Sequence, residues 1–258
     1  MPRWVTRIAV LAGVILAWEM GVRLYGNPQR FPYPSAVATA LVRDLGSGRL
    51  VVAVVQSLSR VLLAFFFAAA TGIVVGVAIA VFRPLDRALS PIIDSLRSIA
   101  PIVWIPMAVL LFGITGRAAI FIVAYAAVFP IILNTSEAVR RLDRRLFDAA
   151  LTLGAGPATL VVRVILRGAM PTIIVGARVA MGFAWASIIA AELAMGIKLG
   201  EGAQISIGLG QLMVNTLYVE RDLNSLVGYM LTIGLIAILI DLVMRQFHRL
   251  ALPAGAIP

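Results

Sequence analysis

Apolar residues along this chain run in long uninterrupted windows rather than at strand or surface-helix spacing. Val61–Phe82, Ser98–Gly116, Ala118–Ser136 and Leu223–Ile240 carry no charge, and Gly168–Ala191 carries only Arg178. Each approaches the roughly 20 residues needed to cross about 30 Å of hydrocarbon. A further window, Ile8–Trp18, is followed by Glu19 and Arg23. With no A-x-A cleavage site after it, it reads as an uncleaved anchor. The pattern predicts an all-α integral membrane protein with about six transmembrane helices, near 5–25, 59–82, 98–116, 118–136, 168–195 and 223–247.

The polar stretches between these windows differ in character. Segment 26–58 is external; within it Asn27–Pro34 holds three prolines, and Ser35 is placed to cap an amphipathic helix over Ala36–Leu45. Segment 196–222 is a second external loop, partly helical. Residues 135–170 form a long connection on the opposite side. There Ser136 is placed to cap a helix from Glu137 whose apolar stripe is Leu142, Leu146, Ala149, Ala150 and Leu153, bordered by Arg140, Arg141, Arg144 and Arg145. Gly154-Ala155-Gly156-Pro157 breaks that helix, with glycine supplying positive φ and proline opening a second helix over Ala158–Leu166. Such an elbow suits either docking to a soluble partner or lying on anionic lipid as an interfacial hairpin.

Composition narrows the class. Of 258 residues, 61% are hydrophobic and 13% charged, which excludes a soluble enzyme and a disordered chain. There is no cysteine and one histidine, so a Cys-based metal or redox site is excluded and a His-ligated metal disfavoured. Of the 22 basic residues all but Lys198 are arginine. With both termini cytoplasmic, 13 fall inside and 8 outside, Arg178 lying within a span. The +10 charge therefore reads as topology against the inner leaflet rather than nucleic-acid binding.

Two charges at membrane depth single out the fifth window. Arg178, Gly182, Trp185 and Glu192 fall on one helical seam, with Gly182 permitting close helix approach. Either Arg178 and Glu192 face a pathway, or each sits in a structural ion pair with another span. Pro101, Pro106 and Pro130 interrupt the third and fourth spans, so Trp104 is a candidate pathway residue or an interfacial one.

Asp148-Ala149-Ala150, Gly154 and Val164-Ile165-Leu166 resemble the "EAA" loop of permease subunits of bacterial ABC importers. Phe31-Pro32-Tyr33-Pro34-Ser35, Ser57-Leu58-Ser59-Arg60-Val61-Leu62, Gly72-Ile73-Val74-Val75-Gly76, Trp104-Ile105-Pro106, Phe129-Pro130-Ile131-Ile132-Leu133-Asn134-Thr135 and Ala190-Ala191-Glu192 resemble its sulfonate/nitrate/taurine branch. The elbow departs from that pattern at Arg167, where proline is usual, and Gly196–Asp222 is longer. The resemblance implies a homodimeric permease in the bacterial cytoplasmic membrane, driven by two cytoplasmic ATPase subunits and fed by a solute-binding protein, with a small oxyanion such as an organosulfonate, taurine or nitrate as substrate. A vitamin precursor or aromatic acid is the alternative in the same machinery. The implied coupling residues are Leu146, Asp148, Ala149, Ala150, Leu153, Gly154, Arg144 and Arg145. The sole lysine lies in Gly196-Ile197-Lys198-Leu199-Gly200, which is not a phosphate-binding loop, so ATP and Mg belong to the partners and this chain binds no cofactor. A secondary transporter, wanting coupled carboxylates within the spans, is the other class.

Overall fold

The computed structural model describes residues 3–26, 31–196 and 207–251, which are almost wholly helical. In order they form α1 (Arg3–Tyr25), α2 (Pro34–Gly46), α3 (Arg49–Val81) and α4 (Arg83–Arg97), then a 3-10 turn (Pro101–Trp104) leading into α5 (Ile105–Phe112). There follow α6 (Gly116–Arg140), α7 (Arg144–Thr152) and α8 (Pro157–Thr159), which passes through a π-type turn into α9 (Leu166–Gly196). Last come α10 (Leu209–Asn215), a π-type turn (Thr216–Glu220) and α11 (Leu223–Ala251). α3, α6, the rod Pro157–Gly196 and Leu223–Arg249 are each long and apolar enough to cross a membrane.

The window 98–116 is not one straight rod. α4 and the segment Pro101–Phe112 meet at 91°. Twelve helical residues after the bend rise only about 18 Å, too short to span alone. Pro101 and Pro106 remove two backbone donors, and Gly113, at φ 70°, ends α5. Together the two arms make one broken crossing or a re-entrant loop.

The chain divides into two compact units, residues 1–57 with 192–236, and residues 58–191 with 237–258. In the second unit α6 is the buried centre, with Ala119, Val123, Ala127 and Ile131 fully enclosed. Neighbours reach it through glycines. A Cβ on Gly76 of α3 would stand 2.7 Å from Thr135 Cβ, and one on Gly176 of α9 would stand 2.4 Å from Asn134 Cβ. Lacking lipid-independent hydrophobic drive, membrane helices gain association from such backbone proximity. Asn134 and Thr135 therefore lie in packed helix, where Asn134 Nδ2 donates to the Pro130 carbonyl at 2.8 Å.

In the first unit α2 begins two residues earlier than expected, with Tyr33 as N-cap and Pro34 in the first turn. Ser35 is not the cap: its backbone N–H and its hydroxyl donate to Glu19 of α1, at 3.2 and 3.0 Å. At the far end of α2, Asp44 is buried and accepts from Tyr229 (2.6 Å) and Ser225 (2.8 Å), while Arg43 reaches Asp222 at 2.8 Å. Burial raises Asp44, but hydrogen bonds from Tyr229, Ser225 and Arg43 outweigh it and hold the carboxyl below its ordinary value. Asp222 follows the same balance, burial against Arg43 and the Ser225 backbone. A depressed carboxylate contributes stability that is complete above its unfolded pKa, near 4, and is lost as pH falls through its lower folded value. Amide protection factors in 34–46, taken relative to intrinsic exchange at each pH, are therefore expected to fall on acidification from neutral pH to about pH 3, and Asp44→Asn to reduce that dependence, with Asp222 supplying the remainder.

Candidate functional site

The first half of the connection between α6 and α9 is built differently from the one helix expected from Glu137 to Leu153, while the break before Pro157 falls where expected. α6 continues to Arg140, and the chain then breaks at 141–143. Ser136 does not cap; its hydroxyl donates to the Leu133 carbonyl within α6 at 3.0 Å. The cap of α7 is Asp143, whose side chain accepts from the Arg145 backbone N–H at 2.9 Å. The signal was legible in Asp143-Arg144-Arg145, an acceptor immediately before a helical run. At the other end Leu153 is the C-cap and Gly154 has φ 77°. Ala155 N–H bonds the Ala150 carbonyl (3.0 Å) and Gly154 N–H the Leu151 carbonyl (2.9 Å). That pair of bonds is a Schellman closure, which requires the left-handed residue at position 154. Pro157 then opens the next helix from its first position, with Gly156 as N-cap.

This double stop fixes which side chains face outward. Leu142 and Phe147 turn inward, against a core of Ala138, Val139, Ile165, Ala169 and Ile173. Leu146 is 50% exposed and Leu153 87%, with Ala149, Asp148, Arg144 and Arg145 also exposed and Ala150 half-buried. Of the expected stripe, Leu142 is thus an anchor, and Phe147, which the pattern did not select, is the second anchor. Leu146, Ala149 and Leu153 remain exposed on the outer face, outside that core. A methyl added to Gly154 meets nothing within 4 Å. Gly154→Ala is therefore expected to cost only the left-handed strain, about 1–2 kcal/mol. It should loosen 150–156 in amide exchange while leaving α6 and α9 protected.

The residues expected along a pathway do not share one environment. Arg178 Nε donates to Asp241 of α11 at 2.7 Å, and Asp241 also binds Arg245 at 2.8 Å. Gly182 is exposed, with open space around it, while Trp185 is buried. Glu192 is fully buried in the first unit, beside Ser57 and the start of α10. Trp104 packs its ring on Tyr125 at 5.3 Å. Tyr125 in turn donates to the Leu96 carbonyl at the bend, 2.5 Å away. Beside that bend opens a cleft of about 610 Å³ lined by Arg97, Tyr125, Phe129, Asn134 and Phe183, among others. Lys198 lies outside the described residues.

Residues 72–254 match the model of the "Binding-protein-dependent transport system inner membrane component" family. The chain belongs to that family. A putative ABC transporter permease of Methanocaldococcus jannaschii is 31% identical over 95% of this chain and 90% of its own length. The bicarbonate transport system permease CmpB of Synechococcus elongatus is 33% identical over 76% and 67%. The putative aliphatic sulfonates transport permease SsuC of Escherichia coli K12 is 32% identical over 74% of each chain. In structure the permease is similar to a chain of the inward-facing MetNI methionine ABC transporter, with a TM-score of 0.65 at 25% identity, covering 79% of this chain and 96% of that one. It is a multi-pass inner-membrane permease of the ABC importer type and a non-catalytic subunit.

Proposed function

We propose that this permease pairs with a second copy of itself to form a pathway for a small oxyanion, and that residues 144–156 are the handle gripped by each ATPase subunit. The observation that carries the handle is the outward face of α7, where Leu146, Ala149 and Leu153 lie exposed between Arg144 and Arg145 and the Gly154 stop. An apolar patch with a basic rim fits a hydrophobic cleft edged by acidic groups. The alternative of an interfacial hairpin would turn the same leucines into lipid. Arginine placement supports both termini in the cytoplasm and an external solute-binding protein on the opposite side.

The substrate class is supported by two relatives whose names carry bicarbonate and aliphatic sulfonates, both oxyanions. Arg97, ion-paired with Asp94 at 2.9 Å, lines the 610 Å³ cleft beside an apolar wall. A vitamin precursor or aromatic acid in the same machinery is the competing cargo. Proteoliposomes containing the permease, its ATPase and its binding protein provide the test, with labelled alkanesulfonate, taurine, nitrate, bicarbonate and an aromatic acid offered in turn. ATP-dependent uptake of one of the oxyanions is the expected result. Uptake of the aromatic acid alone, or uptake driven by a proton gradient without the ATPase, refutes the reading.

A further inference from the structure

Under α7, on the side away from Leu146, Ala149 and Leu153, the second unit has a cavity of about 510 Å³. Its inner wall is apolar, built from the end of α3, the end of α6 and the ring of Phe147. Its rim carries three guanidinium groups, Arg83, Arg140 and Arg144, against two carboxylates, Asp86 and Asp148. Arg140 is taken up by Asp86 at 2.7 Å. Arg83 and Arg144 have no carboxylate partner among the described residues. The rim therefore holds two uncommitted guanidinium groups opposed by the single carboxylate of Asp148.

We propose that this cavity binds a phosphate group, and that the apolar wall selects the headgroup of an anionic phospholipid over soluble phosphate. Guanidinium forks match phosphate oxygens two at a time and desolvate more readily than lysine, which suits a partly enclosed site. α3 and α6 both end at the cavity, so it lies at headgroup depth whichever way the chain is oriented. A phosphodiester at the rim places its acyl chains along the apolar wall, and a basic pocket at the ends of membrane helices is the setting in which headgroups are recognised. Seated there, the lipid braces α7 from behind through Arg144 while the leucines of the opposite face stay free. The inference uses the handle reading only for what the bound lipid would brace, since lipid retention is measured without ATP or transport.

The test uses the full permease in detergent, titrated with phosphatidylglycerol, phosphatidylcholine or inorganic phosphate and read by native mass spectrometry. Retention of phosphatidylglycerol over phosphatidylcholine is expected. Each arginine near such a surface contributes about fivefold in affinity, so Arg83→Gln with Arg144→Gln should weaken retention roughly 30-fold. Asp148→Asn, which removes the opposing charge, should strengthen it. Arg163→Gln, an exposed arginine that does not line the cavity, should change nothing. Because the double glutamine variant risks misfolding, Arg83→Lys with Arg144→Lys is measured beside it, with intermediate retention expected in a monodisperse protein. Failure of millimolar inorganic phosphate to displace the lipid assigns the site to the amphiphile, and full displacement assigns it to soluble phosphate and overturns the lipid selection. Equal phosphatidylglycerol retention by wild type and both double variants, or an equal loss in Arg163→Gln, overturns the site itself.

Discussion

Leu146→Asp combined with Leu153→Asp is expected to abolish ATP-driven uptake while the permease still inserts and purifies as a folded protein. The two leucines are 50% and 87% exposed and lie outside the core that receives Leu142 and Phe147. Exposed substitutions of this kind usually shift stability by no more than about 0.5 kcal/mol. At the centre of an interface, by contrast, a buried anchor contributes about 2 kcal/mol or more, and a charge left in its pocket adds a desolvation cost. Loss of both anchors thus predicts a fall of roughly a thousandfold in affinity for the ATPase. Leu151→Asp is the internal control. At 100° per residue it lies roughly 140° around α7 from Leu146, whereas Leu153 lies only about 20° away. A protein partner gripping one face distinguishes these positions. A hairpin lying in lipid buries every exposed leucine it can, and would make Leu151→Asp as damaging to membrane association as the pair. Co-purification of the ATPase with each variant, followed by uptake, separates the two. Retention of the ATPase by the double variant would remove the handle from the mechanism.

The features that were legible in the chain are those governed by local chemistry. Apolar windows around Val61–Phe82 and Leu223–Ile240 had to become membrane helices because their backbone groups have no other way to be satisfied in hydrocarbon. Gly154 had to be the stop, since positive φ at a helix end falls to glycine. What escaped was decided by partners distant in sequence. Ser35 has the right chemistry for a cap, yet Glu19, sixteen residues earlier, takes its hydroxyl and its N–H. Phe147 lies outside the apolar stripe of the sequence, and its role appears only where the core of Ala138, Ile165 and Ile173 receives it. The bend after Arg97 had a visible cause in Pro101 and Pro106. Its angle of 91° is not written in any local pattern. Gly72 and Gly76 stood out as a motif, but their purpose, admitting Ile131 and Thr135 of α6 against bare backbone, appears only in three dimensions.

Glu192→Ala should be the most destabilising single change in the first unit. The carboxylate is wholly buried. The Ser57 hydroxyl lies 2.8 Å from Oε2 and 3.0 Å from Oε1, and the Gly210 N–H donates to Oε2 at 3.0 Å. Ser57 Oγ in turn accepts from the Leu209 N–H at 2.9 Å. Glu192 thereby takes the Gly210 amide while Ser57, held by the same carboxylate, takes the Leu209 amide, and the pair pins α10 against α3. Gly208 completes the fit, since a Cβ there would stand 2.1 Å from Glu192 Oε1. Alanine at 192 opens a void and leaves a buried hydroxyl and amide without their acceptor, at a cost of about 3 kcal/mol. The Ser57 hydroxyl and the Gly210 amide both aim at the carboxylate. A glutamine offers one acceptor and one donor in its place, so Glu192→Gln should fall between wild type and alanine. Gly208→Ala should resemble the alanine variant without touching any charge, because the carboxylate it strikes is held in place and cannot swing aside. Amide exchange across 209–215 reads all three, with protection lost in the order Glu192→Ala, Glu192→Gln, wild type, while the amides of α6 stay unchanged. Wild-type protection of α10 in Glu192→Ala would mean that packing of Leu209 and Leu212, and not the carboxylate, holds this segment in place.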